Sequence, residues 1–130
     1  MINISMARTT TIIDASTGTN FNFTSIEVRG DAFYGYTDGL HTIAFYFSDF
    51  TGKVHLEGTL ANVPISTDWF PLSIDPPTDY MQLTAHTGIV ARTFEGNFMF
   101  LRVRIDRDYL TPANNNNLVW GQISQVLLNH

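Results

Sequence analysis

The chain has 130 residues, seven basic against twelve acidic side chains, a formal net charge of −5 and no cysteine. That length fits one domain with a real core, and 13% aromatic against 15% charged residues is the reverse of a disordered composition. The missing cysteine excludes disulfide scaffolds, thiolate zinc sites, iron–sulfur clusters and thiol catalysis.

Residues 1–24 carry only Arg8 and Asp14 as charged side chains and include the β-prone run Thr9-Thr-Thr-Ile-Ile13. The segment reads either as the first strand of the fold or as an arm exchanged with a neighbouring subunit, with Ile12 an interface candidate. Its start lacks a basic stretch followed by an apolar one, so it is not read as a secretory signal. Residues 14–20 form a Ser/Thr/Gly turn region. Ser25-Ile-Glu-Val-Arg29 then alternates as a strand does, and Asp38-Gly39 marks the next break.

Residues 43–47 are apolar at every position, the expected pattern of a strand covered on both faces. Asp49-Phe-Thr-Gly52 reads as a tight connection. Beyond it, Lys53-Val-His-Leu-Glu-Gly-Thr-Leu60 alternates with Val54, Leu56 and Leu60 toward the core. Lys53, His55, Glu57 and Thr59 then face water. Pro64 and Asp75-Pro-Pro-Thr-Asp79 forbid regular structure. Trp69 reads as a core or subunit-contact residue. A long strand over residues 98–106 follows, with Phe98, Phe100, Leu101, Val103 and Ile105 as core candidates. An Asn-rich loop at 111–117 leads to a last strand over 118–128. There Val119, Ile123 and Leu127 share one face, with Ile123 and Leu127 as core candidates and Gly121 leaving room beside them. Short connection makes antiparallel pairing of these last two strands the default.

Period-two patterning, sixteen threonines and frequent breaks predict a single all-β domain over residues 1–130. The expected form is an antiparallel β-sandwich, jelly-roll-like or Ig-like, with roughly eight to ten strands.

Chemistry is sparse. His41, His55, His86 and His130 lack local metal-ligand spacing. Asp106 with Asp108, and Asp75 with Asp79, read as turn formers rather than a calcium loop. Neither a Gly-x-Ser-x-Gly elbow nor a phosphate-binding glycine loop is present. Asn3-Ile-Ser5 and Asn22-Phe-Thr24 match the glycosylation pattern by coincidence. No catalytic, cofactor-binding or metal-binding residue is assigned, and an enzyme is not expected. Arg102, Arg104 and Arg107 are the only local basic cluster, interleaved with Asp106 and Asp108, so nucleic acid is not an expected partner. The longest apolar runs fall far short of the roughly 20 residues of a membrane span, so no membrane role is expected either. Trp69, Phe70, Tyr80, Tyr109 and Trp120 are the aromatic candidates for a sugar-binding face.

Four pieces in order carry a resemblance. They are Gly52-Lys-Val-His-Leu-Glu-Gly-Thr-Leu60, Thr67-Asp-Trp-Phe-Pro-Leu72, Phe94-Glu-Gly-Asn-Phe-Met-Phe-Leu-Arg-Val-Arg-Ile105 and Gly121-Gln-Ile-Ser-Gln-Val-Leu-Leu-Asn129. Over about residues 40–129 this order resembles small β-sandwich virion proteins of tailed bacteriophages, particularly T4-like phages of marine cyanobacteria. The resemblance implies a non-enzymatic structural subunit of the virion, such as a capsid decoration protein. Its partners would be major capsid, neck or tail proteins and copies of itself, with no cofactor. Tyr34, Tyr36, Tyr46 and Tyr109 are candidates for subunit contact, because tyrosine is enriched where subunits meet. The alternative is a carbohydrate-binding or receptor-binding tail module of the same fold class.

Overall fold

A computed structural model describes residues 9–13, 22–35, 39–110 and 120–129. The expected all-β antiparallel architecture is present as one eight-stranded sheet curled on itself into a sandwich-like half-barrel. In chain order the strands are β1 (Thr9–Ile13), β2 (Phe23–Thr24), β3 (Val28–Arg29), β4 (Leu40–Thr59), β5 (Phe70–Leu72), β6 (Met81–Glu95), β7 (Phe100–Asp106) and β8 (Gln122–Asn129). A single helical turn, α1 (Asp31–Tyr34), lies between β3 and β4.

β4 organises everything else. Its first half is flanked by β6 and β8; in its second half β7 takes the place of β8, while β6 continues to Val54 on the other side and β5 follows it from Leu56. β1 extends the sheet beyond β8, while β2 and β3 pair with β7. The two halves belong to the two layers, so one bent strand replaces the usual pair of sheets. Residues 49–52 are therefore not a connection between strands, as their turn chemistry predicts, but a bend inside one. His41, Ile43, Phe45 and Phe47 are buried before it, and Phe50, Val54 and Leu56 after it. Inward positions change from odd to even because Ser48 and Asp49 both face out, with Asp49 in the left-handed region at φ 52°. This is a bulge that re-phases the alternation and adds curvature.

β6 bends alongside, with Ala85 at φ 47° and the pairing register broken over the same stretch. Irregular backbone loses ladder partners, and side chains replace them. Asp49 N–H donates to the Thr87 hydroxyl (2.9 Å), and Ala85 N–H to the Thr51 hydroxyl (2.8 Å).

A third phase change falls in β8. Tyr46 pairs with Gln125 but Phe47 with Ile123, leaving Ser124 as the extra residue. Ile123, Val126 and Leu128 consequently face the core, and Leu127 is turned to the outer face. The expected face of Val119, Ile123 and Leu127 is thus not formed, and Val119 lies outside the described residues. The expected pairing of the last two strands is also absent: β7 and β8 each pair with a different half of β4.

Of the remaining core candidates, Val54, Leu56, Phe98, Leu101, Val103 and Ile105 are buried. Leu60 is 64% exposed, since β4 ends at Thr59 and the chain leaves the sheet. Phe100 sits on the outer side of β7, half-buried against Phe33 at 5.7 Å between ring centroids. Residues 43–47 are covered on one face only, with Ala44 and Tyr46 half-exposed. The alternation expected over 25–29 is broken. Ser25 is buried and exchanges hydrogen bonds with Val103, its N–H donating to the carbonyl (2.8 Å) and its hydroxyl accepting the N–H (2.9 Å). Ile26 is turned outward.

Ile12 is likewise buried in its own chain's core. It is the extra residue where Thr11 pairs with Leu127 and Ile13 with Val126. The expected turn at 14–20 and loop at 111–117 lie outside the described residues.

Gly121 opens β8 in the left-handed region at φ 72°, and a Cβ there would run into the backbone carbonyl of Asp49. The room it leaves is filled by the β4 bend itself. Gly121→Ala is expected to cost at least about 2 kcal/mol, combining positive-φ strain with that clash, as read from urea unfolding. Because β8 joins β1 to β4 through three buried side chains, a chain ending at Gln122 is expected to lose cooperative unfolding altogether.

Candidate interaction surface

The two layers turn very different outer faces to solvent. On the second half of β4, Lys53, His55 and Glu57 stand opposite Asp106, Arg104 and Arg102 of β7. Glu57 accepts from Arg102 Nε at 2.8 Å through one oxygen and from Arg104 Nε at 3.2 Å through the other. Asp106 lies 3.8 Å from the Arg104 guanidinium and 3.7 Å from His55 Nε2. Aromatic rings cap the ladder. Trp69 lies under the Arg102 guanidinium at 4.2 Å, and Lys53 Nζ sits over Tyr80 and Tyr109 at 4.6 and 5.1 Å.

Trp69 is accordingly half-buried against the ladder rather than in the core. Glu57 and Thr59 are buried and His55 nearly so, which corrects the expectation that these residues simply face water. Cations lie on the faces of Trp69, Tyr80 and Tyr109 that a sugar would use, although Tyr109 and Phe70 remain partly exposed.

Burial, and then the neighbouring Arg104, push the His55 pKa below its ordinary 6.5. Proton uptake is thus weaker in the folded chain than in the unfolded one, so acidification favours unfolding. Stability is expected to be fully present above about pH 6.5 and to fall as pH drops through that value and the lower folded-state pKa. His55→Gln should flatten this slope in pH-dependent thermal unfolding.

Arg107, which reads as part of an exposed basic cluster, is instead fully buried. Its Nε donates to the Thr51 carbonyl (2.8 Å), and a terminal nitrogen donates to the carbonyls of Trp120 (3.0 Å) and Gly121 (2.9 Å). Its guanidinium also stacks over Phe50 at 4.6 Å, and the Asn22 side-chain oxygen accepts its backbone N–H (2.7 Å). Burial lowers its pKa to about 10, leaving it charged at neutral pH. One signal was available: Arg107 continues the inward alternation of Val103 and Ile105.

His41 continues the inward series of β4 in the same way. It stacks on Phe94 (4.7 Å), and its Nδ1 lies 2.9 Å from the Gly39 carbonyl and Nε2 3.4 Å from Asp31 of α1. These ionisable groups build the fold. No three His, Asp or Glu side chains gather in metal-binding geometry among the described residues.

The other layer is nearly neutral outside. β4 contributes Leu40, Thr42, Ala44 and Tyr46, and β6 sets Glu95, Thr93, Ala91 and Ile89 opposite them. β8 and β1 continue the surface with Gln125, Leu127 and Asn129, then Thr11 and Thr9. Charge lies only at its ends among the described residues, with Glu95 at one and Asp49, facing out at the bend, at the other. Ile89 is 61% exposed and Leu40 also stands in solvent. A second apolar display follows β4, where Leu60, Val63 and Ile65 are all exposed, Val63 at 85%. Large exposed apolar surface on a folded domain marks a contact site.

Of the tyrosines expected at contacts, Tyr46 lies on the neutral face, Tyr109 on the ladder and Tyr34 on α1, half-buried against Phe33. Tyr36 lies outside the described residues. A cleft of about 220 Å³ beside the ladder is lined by Asn22, Phe23, Thr24, Arg104, Ile105, Asp106 and Asp108. The Asp108 carboxylate accepts from the Asn22 amide (2.8 Å), and its N–H donates to Asp106 (3.0 Å), so these acids are tied into a turn.

Arg107→Met should remove the donor shared by three carbonyls and cost on the order of 3 kcal/mol. Arg107→Lys should recover only part of it, because a point charge cannot span the fork; chemical denaturation checks both. Comparison with protein-family models, curated proteins and solved structures found no match to this chain.

Proposed function

We propose that this chain is a non-enzymatic structural subunit of a tailed-phage virion, an accessory or decoration protein that acts by binding its neighbours. The observation that carries this reading is the neutral outer face of the β1–β8–β4–β6 layer, displayed on a sheet whose ionisable groups are engaged in holding its shape. A particle subunit needs a stiff body with uncharged surface to bury, and the resemblance of residues 40–129 to phage virion proteins points the same way. Its mechanism is mechanical. Contact area shared between adjacent subunits favours the assembled over the dissociated state by mass action.

Mass spectrometry of extensively washed particles from the phage encoding this chain tests the reading. The polypeptide is expected at fixed stoichiometry, on the order of hundreds of copies for a capsid position or about six or twelve for neck or tail, following particle symmetry. Absence from washed particles would overturn it. The polar cleft beside the ladder favours a second reading, a receptor-binding module, because it offers both donors and acceptors to hydroxyl groups. Glycan binding by the isolated chain that is lost in Asp108→Ala without loss of folding would favour that reading over the first.

A further inference from the structure

Resting on the reading as an assembly subunit, we propose that the neutral face is a homotypic contact, packing against the same face of a second copy about a two-fold axis.

Charge selects this occupant. The face offers methyl groups, hydroxyls and carboxamides, with Glu95 at its end still able to reach water. A partner bringing ionised side chains to its centre would have to bury them unpaired, a cost of several kcal/mol per ion. A second copy brings none.

Shape agrees. Ala44 and Ala91 face each other across β4 and β6, leaving a low centre over which a second sheet can close to about 10 Å. Tyr46, Gln125 and Asn129 supply donors and acceptors that a two-fold axis would present in matching pairs.

Area sets the strength. Four strands at about 4.8 Å spacing and seven residues at about 3.3 Å rise give roughly 440 Å² of projected face per copy, or about 900 Å² for the pair. Stable dimers bury about 1,200–2,000 Å², so this contact is weak in free solution and becomes effective where copies are held close together, as on a particle.

Sedimentation equilibrium of the full chain from about 1 µM to about 1 mM tests the proposal. The expected result is a reversible monomer–dimer equilibrium whose dissociation constant lies within that range. Thr42→Arg and Ala91→Arg, both at exposed positions, should each weaken it at least tenfold with unchanged thermal unfolding, because each places two like charges at the centre of the contact. A chain that stays monomeric to about 1 mM overturns the proposal, as does dimerisation that survives both substitutions, which would place the contact at a sheet edge or at Leu60–Ile65 instead. These outcomes are separate from those for particle membership. A monomeric chain present in virions removes the homotypic contact alone, whereas a dimer absent from them removes the virion role alone.

Discussion

The bend in β4 is the constraint on which the architecture depends. One strand serves both layers because Ser48 and Asp49 step out together and return Phe50 to the same interior that Phe47 enters. Such a step strands backbone polar groups, and an irregular backbone inside a fold persists only when they are satisfied. Thr87 and Thr51 do this between β4 and β6. Arg107 does it from the inside, tying the Thr51 carbonyl at the bend to Trp120 and Gly121 at the start of β8. A buried guanidinium suits this place, since its donors point in several fixed directions and its flat face packs on Phe50.

From the bend follows the division of the surface. The ladder on the β4–β7 half consumes its own charges. Glu57 bridges two arginines, Asp106 neutralises what remains, and Trp69, Tyr80 and Tyr109 pack onto the cations. Glu57 is buried beneath partly exposed arginines, and the pairs leave that face polar. The β1–β8–β4–β6 half has little to satisfy, because apart from Tyr46 and Glu95 its outward positions there are threonine, alanine, leucine, isoleucine and amides. An open sheet face without charge is a poor solvent surface and a good contact surface.

Much of this was legible along the chain, and the failures share a cause. Within each regular run the alternation named the inward residues correctly, as for Val54 and Leu56, or Val103 and Ile105. It went astray where an extra residue re-phases a strand. Leu127 was assigned inward because Ser124 cannot be seen to bulge, and residues 49–52 resembled a turn because their composition suits a bend as well as a reversal. Arg107 and His41 obeyed the alternation, and chemical type argued against it. Lys53, His55 and Glu57 were correctly placed on an outer face, but nothing local announces that Trp69 and Arg102 cover it.

The sequence alone determined the all-β antiparallel class and, run by run, which side chains seek the interior, because a period of two is a property of neighbouring residues. Only the tertiary structure decided that β7 and β8 pair with opposite halves of β4, where the phase changes fall and which outer face stays uncharged. Alternation is the same for every strand order and every partner. The choice among them rests on contacts between residues far apart in the chain, made where the bend brings them together.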